Sequence, residues 1–154
     1  MTTNALRIVR SLGMAVETRD YPVDEGDLTA ASVAAKVGMD PDRVFKTLAV
    51  VGERTGPFLC CVPASAELDL RKAAAAAEDK AVTMLPLKEL ETLTGYVRGG
   101  CSPVGTKKRL RVFLDETAML WDTVSVSAGA RGLQMILAPG DLVAAAGAEL
   151  ADLC

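Results

Sequence analysis

The sequence contains no histidine. That removes the usual general base of serine and cysteine hydrolases and the commonest zinc ligand, so neither a histidine-based triad nor a histidine metal site is available. Aromatic residues are scarce, with one tryptophan, two tyrosines and three phenylalanines. They are too few to build stacking platforms for single-stranded nucleic acid. No apolar run approaches the roughly 18 residues of a membrane-spanning helix. The N-terminal Met-Thr-Thr-Asn-Ala-Leu-Arg lacks the basic-then-apolar layout of a signal peptide. A cytoplasmic protein without a membrane partner is expected. The net charge of −3 argues against a general nucleic-acid coat and leaves room only for a local basic patch. Cys60, Cys61, Cys101 and Cys154 show no CxxC spacing, so reduced, partly buried thiols are expected, with no metal and no cofactor.

What is present fits one domain over residues 1–154, half hydrophobic and about a quarter charged. Leu6, Val9 and Leu12 mark a helix over 4–12 that stops at Gly13. Residues 15–20 read as a strand and 21–28 as a loop. Thr29 caps a short helix through Val37, closed by Gly38. Two strands, 44–51 and 57–62, are joined by Gly-Glu-Arg-Thr-Gly. Adjacent Cys60 and Cys61 should point to opposite faces there. An alanine-rich helix covers 68–78, then a strand Val82–Leu85 and a helix from Pro86 to about Leu93. Strands at 111–115, 123–127 and 132–137 precede a helix over Pro139–Ala146 ended by Gly147. The close strand pairs favour antiparallel pairing. The expected class is α+β, a mixed and strongly curved, barrel-like sheet with surrounding helices.

Two segments carry chemistry. In Val-Phe-Lys-Thr-Leu-Ala-Val-Val, residues 44–51, Lys46 shares a strand face with Val44, Leu48 and Val50, and both faces are apolar. A lysine there either lines a cavity with an acceptor or snorkels to solvent near the strand end. In Thr-Gly-Tyr-Val-Arg-Gly-Gly-Cys-Ser-Pro-Val-Gly, residues 94–105, glycines permit positive φ and close approach of backbone to a ligand. Consecutive N–H groups near Gly99 and Gly100 suit an anion or a developing oxyanion; a plain tight turn is the alternative. Ser102 either donates to a bound carbonyl or caps the turn. Cys101 would need a lowered pKa to act as a nucleophile, and packing is the favoured role. Lys107, Lys108, Arg109 and Arg111 form a basic cluster that is either a solvated loop or a phosphate contact. Ser127, Gly129 and Arg131 sit in a second small-residue turn, readable as a pocket wall or as a hairpin.

The order and spacing of Asp40-Pro-Asp-Arg-Val-Phe-Lys-Thr-Leu, Val62-Pro-Ala, Leu68-Asp-Leu-Arg-Lys, the 94–110 segment, Val126-Ser-Ala-Gly-Ala-Arg-Gly-Leu and Ala138-Pro-Gly-Asp-Leu resemble the YbaK/aminoacyl-tRNA synthetase-associated domain family. These are freestanding relatives of the editing domain of bacterial prolyl-tRNA synthetase. The resemblance implies a deacylase that removes a mischarged amino acid from tRNA, most typically cysteine from proline tRNA. It implies a catalytic set of Lys46, Gly99, Gly100 and Ser102 with no protein nucleophile, the substrate's own thiol or a water attacking the ester. Thr47, Ser127, Gly129, Arg131 and Gln134 become the substrate-binding residues. Lys107, Lys108 and Arg109 would hold the tRNA acceptor end, and prolyl-tRNA synthetase is a candidate partner. Gln134 stands where many cysteine-specific relatives carry aspartate, and Ala128 where glycine is common. The segment Tyr21–Thr29 matches poorly. A non-catalytic module that binds aminoacyl-tRNA or a synthetase is the alternative of a different class, and a thiol enzyme using Cys101 is a third.

Overall fold

A computed structural model describes residues 2–154. The Thr3 hydroxyl accepts the Leu6 N–H and starts α1 (Asn4–Ser11), which buries Ala5, Leu6 and Val9. After β1 (Glu17–Asp20), Thr29 caps α2 (Ala30–Val37) through the Ser32 N–H, and Gly38 ends it at φ +70°. β2 (Phe45–Gly52) and β3 (Gly56–Pro63) form a hairpin, followed by α3 (Leu70–Ala77), capped by Asp69. β4 (Val82–Met84), a 3-10 turn and α4 (Leu90–Thr94) precede the glycine-rich segment. The chain then runs through β5 (Val112–Asp115), β6 (Val124–Ala130), β7 (Leu133–Leu137), α5 (Pro139–Ala146) and β8 (Ala148–Ala151).

The strands form two sheets, β1-β7-β6 and β4-β2-β3-β5-β8. The β2–β3 and β6–β7 pairs are antiparallel, as their short connections require, whereas β3–β5 and β5–β8 are parallel. The α+β class and the mixed pairing are therefore present. The single barrel-like sheet is not: the strands are divided between two sheets, and neither curls closed. The sheets meet where Val44 bridges Ser125 in parallel, with the Ser125 N–H donating to Arg43 O at 2.9 Å. β4 takes the far end of the same β2 edge, at Val50–Gly52, so β6 cannot zip along it. β8 also lies beyond the sequence reading. Ala-Glu-Leu-Ala has little strand propensity, and its ladder to β5 makes it a strand.

β3 separates two cores. Leu59 and Cys61 face the core shared with α1, α5 and the three-stranded sheet, while Phe58, Cys60 and Val62 face the one under α3. Strict alternation thus sends the adjacent cysteines to opposite sides. Burial on both faces explains why the strand reads as a continuous apolar run.

The hairpin turn between β2 and β3 is held from outside by Asp79. Its carboxylate accepts the backbone N–H and hydroxyl of Thr55, at 2.9 and 2.7 Å, and the N–H groups of Arg54 and Lys80. The Thr55 bonds above all hold the carboxyl well below its ordinary value of 3.8. A depressed folded-state pKa gives stability that is complete above the unfolded value and is lost as pH falls towards the folded one. Asp79→Asn is therefore expected to lower the melting temperature at pH 7, with the gap to wild type narrowing below about pH 4. Thermal unfolding at pH 7, 5 and 3 checks this, and a constant gap would show that the carboxylate charge is not the source.

Candidate active site

Between the β6 seam at Val44 and the β4 pairing at Val50, the edge of β2 has no strand beside it among the described residues. A cavity of about 390 Å³ opens there. Its walls are mostly apolar, contributed by β2, by Leu28 and Val33 at α2, and by Leu85, Leu87 and Leu90 near α4. Lys46 and Arg98 are the charged side chains among the described lining residues, and no carboxylate lines it. Strand parity adds main-chain groups. Ala49 O accepts Leu85 N–H on the β4 side, and Val44 O accepts Ala64 N–H on the β3 side. Main-chain groups alternate sides along a strand, so the N–H and C=O of Thr47 face the gap. The Thr47 hydroxyl instead turns to Cys61 Sγ, at 3.6 Å.

Lys46 is not sealed in the core. Its side chain is 22% exposed, and Nζ lies 3.9 Å from the fully solvated Glu67 carboxylate. Lys46, the second residue of β2, lines the cavity, and its partly covered stem carries the ammonium towards the solvated Glu67. Ser127 and Gln134 are opposite one another in the β6–β7 register and both line the cavity. Gln134 is nearly buried, and its Oε1 accepts the hydroxyl of fully buried Ser125 at 2.8 Å. Sequence reasoning passed over Ser125.

The glycine-rich segment divides by function. Val97 to Gly100 is a turn closed by the Gly100 N–H on Val97 O at 2.9 Å, with Gly99 at φ +82° in its third position. That combination is the type II turn, which demands positive φ there. The Gly100 N–H is thus spent on the turn, whereas the Gly99 N–H has no partner among the described residues. Gly99 lines the cavity and Gly100 does not. Gly100 is needed for contact: a Cβ there would lie 2.8 Å from Arg131 N. Ser102 is fully buried away from the cavity lining, and its Oγ accepts the Val104 N–H at 3.2 Å, which is the turn-capping role. Gly129 sits at φ +99° in the β6 bulge, where a Cβ would come 2.8 Å from the Tyr96 ring. Arg131 also stands outside the cavity. Its Nε donates to Arg98 O at 2.7 Å, and Nη1 lies 3.7 Å from Glu25.

Segment 21–29, which carried little sequence signal, supplies a wall. Leu28 packs on Gly99, 3.3 Å from where its Cβ would be. Leu28, the one large apolar side chain in the stretch 24–29, was the available hint. Lys107, Lys108 and Arg109 are exposed. The backbones of Lys107 and Lys108 are pinned to Thr94 O and Leu93 O. Lys107, Arg109 and Arg111 border a separate groove beside the end of α5, which shares no residue with the cavity.

A family model for the aminoacyl-tRNA editing domain matches residues 24–145, spanning both the cavity and the glycine turn. The chain belongs to the aminoacyl-tRNA editing domain family. This editing domain is 42% identical over 151 residues to the Enterococcus faecalis protein EbsC, named a "Putative Cys-tRNA(Pro)/Cys-tRNA(Cys) deacylase", covering 98% of this chain and 92% of that one. The uncharacterized protein YwhH of Bacillus subtilis is 29% identical over 127 residues, 80% of each chain. A crystal structure titled as "a putative trans-editing enzyme for prolyl tRNA synthetase" superposes with a TM-score of 0.82 at 29% identity, covering 99% of this chain and 98% of that one. No helix of the described residues is long and apolar enough to cross a membrane.

Cys101 lines the editing domain's cavity but is 8% exposed, and burial pushes its thiol up to about 11. At pH 8 a thiol titrating at 11 is about one part in a thousand thiolate, which is the form that reacts. Iodoacetamide at pH 8 should therefore leave Cys60, Cys61 and Cys101 unlabelled in the folded protein and label them after unfolding. Peptide mass mapping checks this. Rapid labelling of folded Cys101 would revive the thiol-enzyme reading.

Proposed function

We propose that this editing domain is a deacylase that cleaves the ester of a small misacylated amino acid, with cysteine on proline tRNA as its leading substrate. The observation that carries the reading is one cavity in which a cation, Lys46, and an unpartnered backbone donor, Gly99 N–H, occur without a usable nucleophile. An aminoacyl ester is already activated, so orientation and stabilisation of the developing oxyanion are sufficient chemistry. Gly99 N–H polarises the ester carbonyl. Lys46 orients the terminal ribose, its phosphate or the ester oxygen. Water or the substrate's own thiol attacks the carbonyl carbon, the C–O bond to the ribose breaks, and the ribose oxygen leaves as a hydroxyl.

The walls support the choice of substrate. Apolar residues with Ser127 and Gln134 at one side fit a short neutral side chain, and two cations without a carboxylate disfavour lysyl or arginyl esters. Gln134 serves as a hydrogen-bonding amide where an aspartate would carry charge. The Thr47 carbonyl on the free strand edge is the acceptor for the substrate's α-amino group. Gly100, Ser102 and Gly129 contribute by shaping the turns behind the cavity. Lys107, Lys108 and Arg109 meet phosphates of the acceptor end, an ionic term without base readout.

Release of radiolabelled amino acid from proline tRNA charged with cysteine, and separately with alanine, tests the reading. Lys46→Ala is expected to lower turnover by at least about 100-fold while circular dichroism stays unchanged; undiminished turnover would remove the lysine from the mechanism. Binding of tRNA without release by the wild type would favour a non-catalytic binding module. In a separate titration, neutralising Lys107 and Lys108 together should reduce the salt slope of tRNA binding by about one to two. An unchanged slope would make those lysines ordinary surface.

A further inference from the structure

The Arg98–Gly99 peptide is the middle peptide of the Val97–Gly100 turn, and it is the one whose half-turn flip distinguishes type I from type II. In the type II state Arg98 O points one way and the Gly99 N–H the other, because the peptide is trans and planar. Arg131 Nε donates to that carbonyl at 2.7 Å, from a position outside the cavity. The N–H on the opposite side of the same plane is the one without a partner, and Gly99 is a cavity-lining residue. A guanidinium on the carbonyl also draws electron density through the amide, which makes the N–H a better donor.

We infer that Arg131 is a positioning residue that holds the Arg98–Gly99 peptide in the orientation presenting the Gly99 N–H to the ester carbonyl, and polarises that N–H. The inference rests on the deacylase reading and assigns Arg131 a role behind the site instead of in contact with substrate. Without the arginine the peptide is free to turn over, which would aim a carbonyl oxygen at the substrate carbonyl and repel it. Arg131 is itself fixed from the β6–β7 turn. Gly100 lets the two turns touch, and Glu25 stands 3.7 Å from Nη1.

The test compares wild type, Arg131→Ala and Arg131→Lys in kcat and KM on cysteine-charged proline tRNA, with melting curves to confirm folding. Removing a whole oxyanion donor costs about 100- to 1000-fold, and loss of its orientation should approach but not exceed that. Arg131→Ala is expected to lose about 10- to 100-fold in kcat with KM within about twofold. Added methylguanidinium should restore part of it, since the side chain it replaces is 32% exposed. Arg131→Lys, which keeps the charge and the contact to Glu25 but not the Nε donor, should fall between. A raised KM with kcat held would make Arg131 a substrate contact and overturn the inference, as would unchanged kinetics. A second readout needs no turnover. Residual dipolar couplings of the Gly99 N–H and the Arg98 carbonyl carbon shift should both change in Arg131→Ala, and unchanged values overturn the inference whatever the kinetics. If the wild type hydrolyses no aminoacyl-tRNA, the deacylase reading fails, while the couplings still decide whether Arg131 sets the peptide plane.

Discussion

The contact on which the cavity depends is the short seam between the two sheets. Ser125 N–H reaches Arg43 O, Val44 bridges Ser125, and the Arg43 side chain holds Thr123 through its carbonyl and hydroxyl. These bonds tie the start of β2 to β6 and stop there. Because β4 claims only the far end of the same edge, a stretch of main chain between them is left without a neighbouring strand. An unpaired edge is normally a liability for a sheet. Here it is covered by α2, the α4 region and the glycine turn, and the space between becomes the cavity.

Much of the fold was legible because its signals are local. Thr29 and Gly38, or Pro139 and Gly147, bracket helices by cap chemistry that works within a few residues. The apolar run at 57–62 was readable as a strand, and the opposite orientation of Cys60 and Cys61 followed from alternation. The division into two sheets and the existence of β8 were not legible. Both depend on which distant strand arrives alongside, and neither Val44 nor Ala148–Ala151 carries a local mark of its partner.

The site divides in the same way. Lys46, Thr47, Gly99, Ser127 and Gln134 were recognisable by type and do line one cavity. Gly100, Ser102, Gly129 and Arg131 belong to the same motifs yet stand behind it, since spacing cannot tell an N–H that closes a turn from the one left over. Ser125 went unnoticed because a serine in a strand has no distinguishing pattern until its partner, Gln134, is seen. Of the basic cluster, Lys107, Arg109 and Arg111 line another groove, a matter of where the chain goes after residue 105.

In the proposed mechanism the type II turn at Val97–Gly100 supplies its donor from the peptide itself, not from a side chain. A main-chain N–H does not titrate in the range where imidazole or thiol would switch, so this donor is equally available across physiological acidity. It also cannot be exchanged for a stronger or weaker group by mutation at its own position, because every residue except proline carries the same N–H and only glycine tolerates the angle without strain. Variation within such a site is therefore confined to its surroundings. The chemistry can be kept while Leu28, Gln134 and the other walls change what is admitted.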